Sequence, residues 1–429
     1  MTVRLWSGKV TWFAVGFFVA LFCCLVVVNF TTGEKQIGRH VERVHAIGDP
    51  QFAHELGALL GPPFIQGNLA TALLNGDEIF PPMLQAIRDA KASITFETYI
   101  YWSGDIGRAF AAALADAAAR GVKCHVLLDW VGSAKMDDTL IHQMTAAGVQ
   151  IRRFHPPHWS HLQRLNNRTH RKLLVIDGQI GFTGGVGIAP EWTGHAQDPA
   201  HWRDTHVQIV GPVVAQMQSV FLDNWIKVTG QVLHGPAYFP TLANKGSMAA
   251  QVFSSSPTGG SESMQLMYLF SITAAARSID LSAAYFVPDE LTHKALIEAL
   301  QRGVKVRIIV PGSHIDSDTV RSASRATWGP LLLAGATIAE YEPTMFHCKV
   351  MIVDGLLTSV GSTNFDNRSF RLNDEATLNI LDAEFARLQT VVFDADLRKS
   401  KTIGFAEWAN RPWNEKLAER WARLIASQL

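Results

Sequence analysis

The chain has 429 residues, room for about two to three domains of ordinary size. Its 38 Lys and Arg balance 38 Asp and Glu, which excludes the strong basic field of a protein that binds nucleic acid through net charge. Hydrophobic residues make up 48% and charged residues only 18%, and part of that apolar excess sits at the N-terminus.

Residues 10–33 carry no charge, and Trp12 to Phe30 is nearly continuous Phe, Val, Leu, Ala and Cys. A bilayer core takes about 20 such residues in a helix, so residues 1–33 are expected to form one N-terminal transmembrane anchor. Trp6, Trp12, Arg4 and Lys9 suit its interfacial end. The exit through Asn29-Phe30-Thr31-Thr32-Gly33 lacks the Ala-x-Ala-like site of a cleaved signal peptide. Basic residues flank the run on both sides, so the positive-inside rule does not orient it. Cys23, Cys24, Cys124 and Cys348 do not read as a disulfide framework.

A polar stretch with Gly and Pro, residues 34–66, reads as a linker. Beyond it the chain repeats itself. Ser93-Ile94-Thr95-Phe96 parallels Ser278-Ile279-Asp280-Leu281, and Arg120-Gly121-Val122-Lys123 parallels Arg302-Gly303-Val304-Lys305. A period this long indicates two duplicated domains, 67–240 and 248–400, followed by a C-terminal helix over 401–429. In each half a strand-like run, an Ala-rich or Leu-rich helical run closed by glycine, and a second apolar strand succeed one another. This alternation predicts an α/β layer structure, sheets covered by helices.

The most informative repeat is short. Thr169-His170-Arg171-Lys172-Leu173-Leu174-Val175-Ile176-Asp177-Gly178 matches Phe346-His347-Cys348-Lys349-Val350-Met351-Ile352-Val353-Asp354-Gly355 in the spacing of His, Lys and Asp. Small residues follow each copy, Thr183-Gly184-Gly185-Val186-Gly187 and Val360-Gly361-Ser362-Thr363-Asn364. Side chains two apart on a strand share a face, so each histidine projects with its lysine. Such a pair suits an anionic group: a lysine–phosphate contact at about 4 Å is worth on the order of 4 kcal/mol at intermediate dielectric. A single histidine beside a strand is ordinarily structural, and Asp-Gly is ordinarily a turn. The joint duplication is what points to chemistry.

The paired H-x-K-x-x-x-x-D pattern resembles the phospholipase D superfamily. Gly361-Ser362-Thr363-Asn364 resembles its G-S-x-N extension and Arg368-Ser369 its following R-S. Within the superfamily, Gly76-Asp77-Glu78, Glu97-Thr98-Tyr99-Ile100-Tyr101 and Arg368–Glu375 resemble bacterial cardiolipin synthases. The resemblance implies two duplicated phospholipase D-type α/β sandwich domains, each a mixed sheet flanked by helices, related by a pseudo-twofold. It implies phosphodiester exchange through a phosphohistidine, with catalytic residues His170, Lys172, Asp177, His347, Lys349 and Asp354. By that resemblance His170 is the nucleophile and His347 the general acid, then base; the near-symmetric sequence does not itself assign the roles. Gly185, Ser362 and Asn364 are expected to hold the phosphate, with no metal and no cofactor. Aligning Val207 and Ile209 with Leu378 and Ile380 places Asp204 against Glu375, and these two carboxylates are expected to orient the histidines, as the acid of a catalytic triad does. Gly187 stands where the second copy has Asn364, so the halves are not equivalent.

From Gly148 to His170 the first half is ten residues longer than the second is from Gly335 to His347. The extra loop, His155 to Arg164, is expected to guide a lipid headgroup, with Trp159 and Leu162 at the interface. Its three histidines fit no standard metal spacing. Trp408, Trp413 and Trp421 in the tail are expected to pack. The leading expectation is a membrane-anchored cardiolipin synthase of the bacterial inner membrane, joining two phosphatidylglycerol molecules into cardiolipin and releasing glycerol. The alternative is a phospholipase D-type hydrolase releasing phosphatidic acid; a nuclease or a non-catalytic anion scaffold fits less well. The partners implied are phospholipids, phosphatidylglycerol and cardiolipin, at a membrane, with no nucleic acid. No oligomeric state is implied.

Overall fold

A computed structural model of the chain describes residues 3–31, 37–156, 167–257 and 263–424, with side chains for 10–24, 37–156, 167–257 and 263–422. The first half contributes β1 (Ile65–Leu74), β2 (Ser93–Thr98), β3 (Lys123–Asp129), β4 (Gln150–Phe154), β5 (Arg168–Thr169), β6 (Leu173–Ile176), β7 (Ile180–Gly184) and β8 (Thr205–Val210). The second contributes β9 (Met248–Ser255), β10 (Ser278–Ala283), β11 (Phe286–Val287), β12 (Lys305–Pro311), β13 (Thr337–Tyr341), β14 (Lys349–Val353), β15 (Leu357–Gly361), β16 (Phe365–Asp366), β17 (Asn373–Leu381) and β18 (Ser400–Ile403).

The halves meet where β1 pairs antiparallel with β9. Outward from that contact the strand order is β1-β8-β7-β6-β2-β3-β4 on one side and β9-β17-β15-β14-β10-β12-β13 on the other, with β18 added at one edge. One sheet therefore runs through both halves, and the same order on each side gives it a pseudo-twofold between β1 and β9. The outer pairs β2–β3–β4 and β10–β12–β13 are parallel, and the strands between them and the centre are antiparallel. The motif strands Leu173–Ile176 and Lys349–Val353 are buried at every residue, as a strand covered on both faces requires. One apolar cluster lies in each half, and a third, containing Val207, Ile209, Val350 and Ile352, is common to both.

Asp177 and Asp354 follow the motif strands at φ 53° and 55°, each succeeded by a glycine at φ 63°. Two consecutive positive φ values make the type I′ turn that matches strand twist, so these Asp-Gly pairs close the β6–β7 and β14–β15 hairpins.

Three sequence expectations are corrected. The first helix runs Val3–Thr31, but among the described residues no helix is long and apolar enough to cross a membrane. The transmembrane helix, the membrane-anchored form of the functional reading and the single-pass placement in an inner membrane are not supported. Second, the stretch read as a linker contains a helix, Pro50–Leu60, capped by Asp49. Phe52, Leu56 and Leu60 bury in the core of the second half, because an amphipathic helix needs a partner for its apolar face. Third, Trp408 packs, donating from Nε1 to the Arg325 carbonyl at 2.7 Å, but Trp413 and Trp421 are exposed. In the long loop of the first half, residues 157–166, with Trp159, Leu162, His158 and His161, lie outside the described residues.

Candidate active site

The two histidine segments come together by exchange between the halves. Thr169, in β5, pairs parallel with Asp374 of β17, and the His170 N–H donates to the Asp374 carbonyl at 2.9 Å. In the mirror position Phe346 bridges Arg203, and the His347 N–H donates to the Arg203 carbonyl at 2.8 Å. Each histidine thus lies beside the residue preceding the opposite half's carboxylate. His170 Nδ1 is 3.0 Å from both oxygens of Glu375. His347 Nδ1 is 2.7 Å from Asp204 Oδ2. With each Nδ1 engaged by a carboxylate, Nε2 is the ring nitrogen left for the cavity.

That cavity has a volume of about 510 Å³ and is lined by both histidines, Lys172, Asn364 and aromatic walls. Tyr99 meets the His170 ring edge-on at 5.1 Å, and Trp192 and Trp202 flank His347 at 5.2 and 5.5 Å. These contacts leave neither imidazole free to swing. Lys172 Nζ donates to the His170 carbonyl at 2.8 Å. Lys349 Nζ donates to the His347 carbonyl at 2.8 Å and lies 3.0 Å from His347 Nε2.

Burial sets the charges. It pushes the His170 imidazole down to about 4 against the upward pull of Glu375. It pushes His347 down to about 3, where the Lys349 ammonium adds to the effect and Asp204 opposes it. Lys172 is held down at about 7 by burial despite the attraction of Glu375, and Lys349 is also lowered by burial. Burial would raise the carboxyls of Asp204 and Glu375, but their histidine and lysine neighbours outweigh it and hold both below the ordinary range. The carboxylates are therefore charged and the imidazoles neutral. A monoanionic diester would bring the negative charge that favours protonation of a histidine and a lysine together.

The remaining expected site residues divide into two groups. Asn364 lines the cavity, and its Oδ1 is buried without a protein partner. Gly185 and Ser362 instead support the carboxylates. A Cβ on Gly185 would stand 2.2 Å from Asp204 Oδ1, and Ser362 donates to Glu375 while accepting from the Ala376 N–H at 3.0 Å. These two positions correspond in the repeat, yet they act differently. Asp204 has no serine and takes its extra bond from Trp192 Nε1 at 2.9 Å. Trp192 also explains Gly187: a Cβ there would be 2.9 Å from Ile100 Cβ and 3.1 Å from the indole. Asparagine is excluded from that position by packing.

Asp177 and Asp354 are not brought to the cavity. Each lies past the far end of its motif strand, seven residues from the histidine, or about 20 Å of extended chain. The Asp177 carboxylate accepts from the N–H groups of Lys91, Ala92 and Ser93, the closest at 2.7 Å. Asp354 does the same for Ala276, Arg277 and Ser278, also 2.7 Å at closest. The conserved spacing within the repeat marks a strand-end clamp. Asp177→Asn and Asp354→Asn should each cost about 2 kcal/mol of stability in urea denaturation, since charge-assisted bonds to backbone are lost. A large fall in kcat with unchanged stability would return them to the catalytic set.

Sequence reading missed Trp192 and Trp202, which stand in an unduplicated loop, and Arg171, which occupies the place of Cys348. Arg171 is fully buried. It donates to the carbonyls of Val220 (2.8 Å), Ser255 (3.1 Å) and Glu375 (3.3 Å), tying the Glu375 strand to the His170 segment. Its position between two site residues was the available signal.

Two imidazoles facing one cavity, each backed by a carboxylate, with lysines beside them, make up a two-histidine phosphoryl-transfer site on a duplicated α/β sheet. The same fold occurs in the crystal structure of phosphatidylserine synthase from Haemophilus influenzae Rd KW20, with TM-score 0.67 and 15% identity over 88% of this chain and 99% of that one. The family model "Cardiolipin synthase, PLD-like domain" matches residues 83–225 and 268–397. Cardiolipin synthase A of Pseudomonas syringae pv. syringae (strain B728a) is 35% identical over 365 residues, 85% of this chain and 76% of its own length. Cardiolipin synthase of Geobacillus kaustophilus (strain HTA426) is 35% identical over 370 residues, 86% of this chain and 74% of its own. The chain belongs to the cardiolipin synthase-like family of the phospholipase D superfamily. It is an enzyme of phosphatidyl-transfer and phosphodiesterase chemistry, and its substrates are phospholipids.

Proposed function

We propose that the chain cleaves the headgroup phosphodiester of a phospholipid by phospholipase D-type chemistry, with water as acceptor and phosphatidic acid as product. The observation that carries this reading is the pair of crossed histidine–carboxylate contacts opening on one cavity. Neutral His170 attacks phosphorus through Nε2, and Glu375 stabilises the positive charge that develops on the ring. His347, protonated once the diester is bound, gives its proton to the departing alcohol oxygen. It then takes a proton from the incoming water, which displaces His170 from phosphorus. Lys172, Lys349 and the Asn364 amide stabilise charge on the phosphoryl oxygens. The assignment of His170 as nucleophile rests on the family resemblance, since the geometry is nearly symmetric.

A second reading, transfer to an alcohol in place of water, is favoured by the names of the relatives, which are cardiolipin synthases. Incubating the purified chain with labelled phosphatidylglycerol and separating the lipids tests both. Phosphatidic acid is the expected product. Cardiolipin with glycerol would put the second reading first, and no lipid turnover would overturn both.

A further inference from the structure

A buried carboxylate lies behind the His170 segment, outside the cavity, and the phosphoryl chemistry does not use it. Glu97, next to last in β2, is fully buried. Burial pushes its carboxyl up to about 7 against the pull of the Arg171 guanidinium. Such a group is costly to bury unless it is hydrogen-bonded. Its Oε1 accepts from the Thr169 hydroxyl and, at 2.8 Å, from Asn224 Nδ2 on the helix Val214–Thr229. A second buried carboxylate, Asp129 at the end of β3, accepts from the Thr169 N–H through Oδ2 at 3.2 Å. Its Oδ1 takes the N–H groups of Val131 and Gly132. The residue before His170 is thus held by two carboxylates, one on each of two neighbouring strands.

The mirror segment is held differently. In the repeat Glu97 corresponds to Ser282, Asp129 to Pro311 and Thr169 to Phe346. Phe346 is buried in the apolar cluster common to both halves, its ring 4.9 Å from that of Tyr341. The same strand layout therefore stands without a carboxylate at either position, so the fold does not account for Glu97. Apolar packing is non-directional, whereas hydrogen bonds to the Thr169 hydroxyl and N–H set both distance and angle. A ring that must bond to phosphorus needs that control, since a displacement of about 1 Å can cost about 10²-fold in rate. We infer that Glu97 and Thr169 are positioning residues for His170: the carboxylate, through the Thr169 hydroxyl, holds the peptide before His170 so that Nε2 is aimed at phosphorus. This rests on the two-histidine phosphoryl-transfer reading with His170 as nucleophile, and not on which lipid is cleaved.

Stopped-flow release of p-nitrophenolate from bis(p-nitrophenyl) phosphate measures the step that forms the intermediate. Thr169→Val, which keeps the shape and removes the hydroxyl, should slow that step about 10–100-fold. Thr169→Ser, which keeps the hydroxyl, should recover most of the rate. Glu97→Leu should give the same loss as Thr169→Val, and the double change should be no slower than either alone, because the two act through one contact. Losses that multiply, or a serine variant as slow as the valine variant, would overturn the inference. Proton NMR supplies a readout that needs no turnover. The His170 Nδ1 proton facing Glu375 should give a downfield resonance that is absent in His170→Ala. Thr169→Val should shift or broaden it and leave the His347–Asp204 resonance in place; both resonances unchanged, or both altered alike, would also overturn the inference. A selective change at His170 in a chain that releases no p-nitrophenolate would support the positioning pair and count against the proposed function.

Discussion

His170→Ala should abolish turnover, with kcat down by about 10⁴-fold or more, because it removes the imidazole assigned as the nucleophile that bonds to phosphorus. His347→Asn should be as damaging to the full cycle but should stop it at a different point. With bis(p-nitrophenyl) phosphate the leaving group departs without a proton, so the first step needs no acid. The His347→Asn chain should release a burst of about one p-nitrophenolate per molecule and then stall, while His170→Ala should release none. Mass spectrometry of the stalled chain should find the phosphoryl group on the peptide containing His170. An adduct on His347, with the burst in the His170 variant, would exchange the two roles.

The carboxylates should follow the crossed contacts and not the chain order. Glu375→Gln, in the second half, should impair His170 of the first: formation of the covalent intermediate slows, by about 10²–10⁴-fold if the carboxylate acts as the acid of a triad does. Asp204→Asn, in the first half, should impair His347 of the second, with the larger loss in turnover of the intermediate. Stopped-flow burst kinetics with bis(p-nitrophenyl) phosphate would separate the two steps. Burst rate unchanged in Glu375→Gln, or the two variants behaving alike, would refute the crossed assignment. Both changes keep shape nearly constant but turn one accepting oxygen into a donor facing Trp192 or Thr205 at Asp204 and Ser362 or Asn373 at Glu375, so thermal unfolding serves as the control for a merely structural effect.

The asymmetries around the two histidines follow from packing. Ser362 can support Glu375 because the second half has room for a side chain at that position. In the first half Gly185 makes way for Asp204, and the indole of Trp192 supplies the bond that the serine supplies opposite. Ile100, with the same indole behind it, leaves no room for a side chain at Gly187 where Asn364 stands in the second copy. One half therefore presents an amide to the cavity and the other an aromatic wall.

The sequence by itself determined the duplication, the α/β alternation, the two His-Lys motifs and the register that aligns Asp204 with Glu375, because each is carried by local periodicity or by spacing within a single repeat. It was silent on what distant segments do to one another. Nothing local in either repeat indicates that His170 pairs with Glu375 and His347 with Asp204. That crossing arises because Thr169–His170 lies along β17 and Phe346–His347 lies beside Arg203. The motif spacing likewise could not separate His170 from Asp177: both recur equally, but seven residues of extended strand carry one to the cavity and the other to a backbone clamp. The apolar N-terminal run suggested a membrane span, but among the described residues no helix is long and apolar enough to cross a membrane. The aromatic walls, Arg171 and the Glu97–Thr169 pair depend on contacts between residues far apart in sequence, and only the tertiary structure brings them to one site.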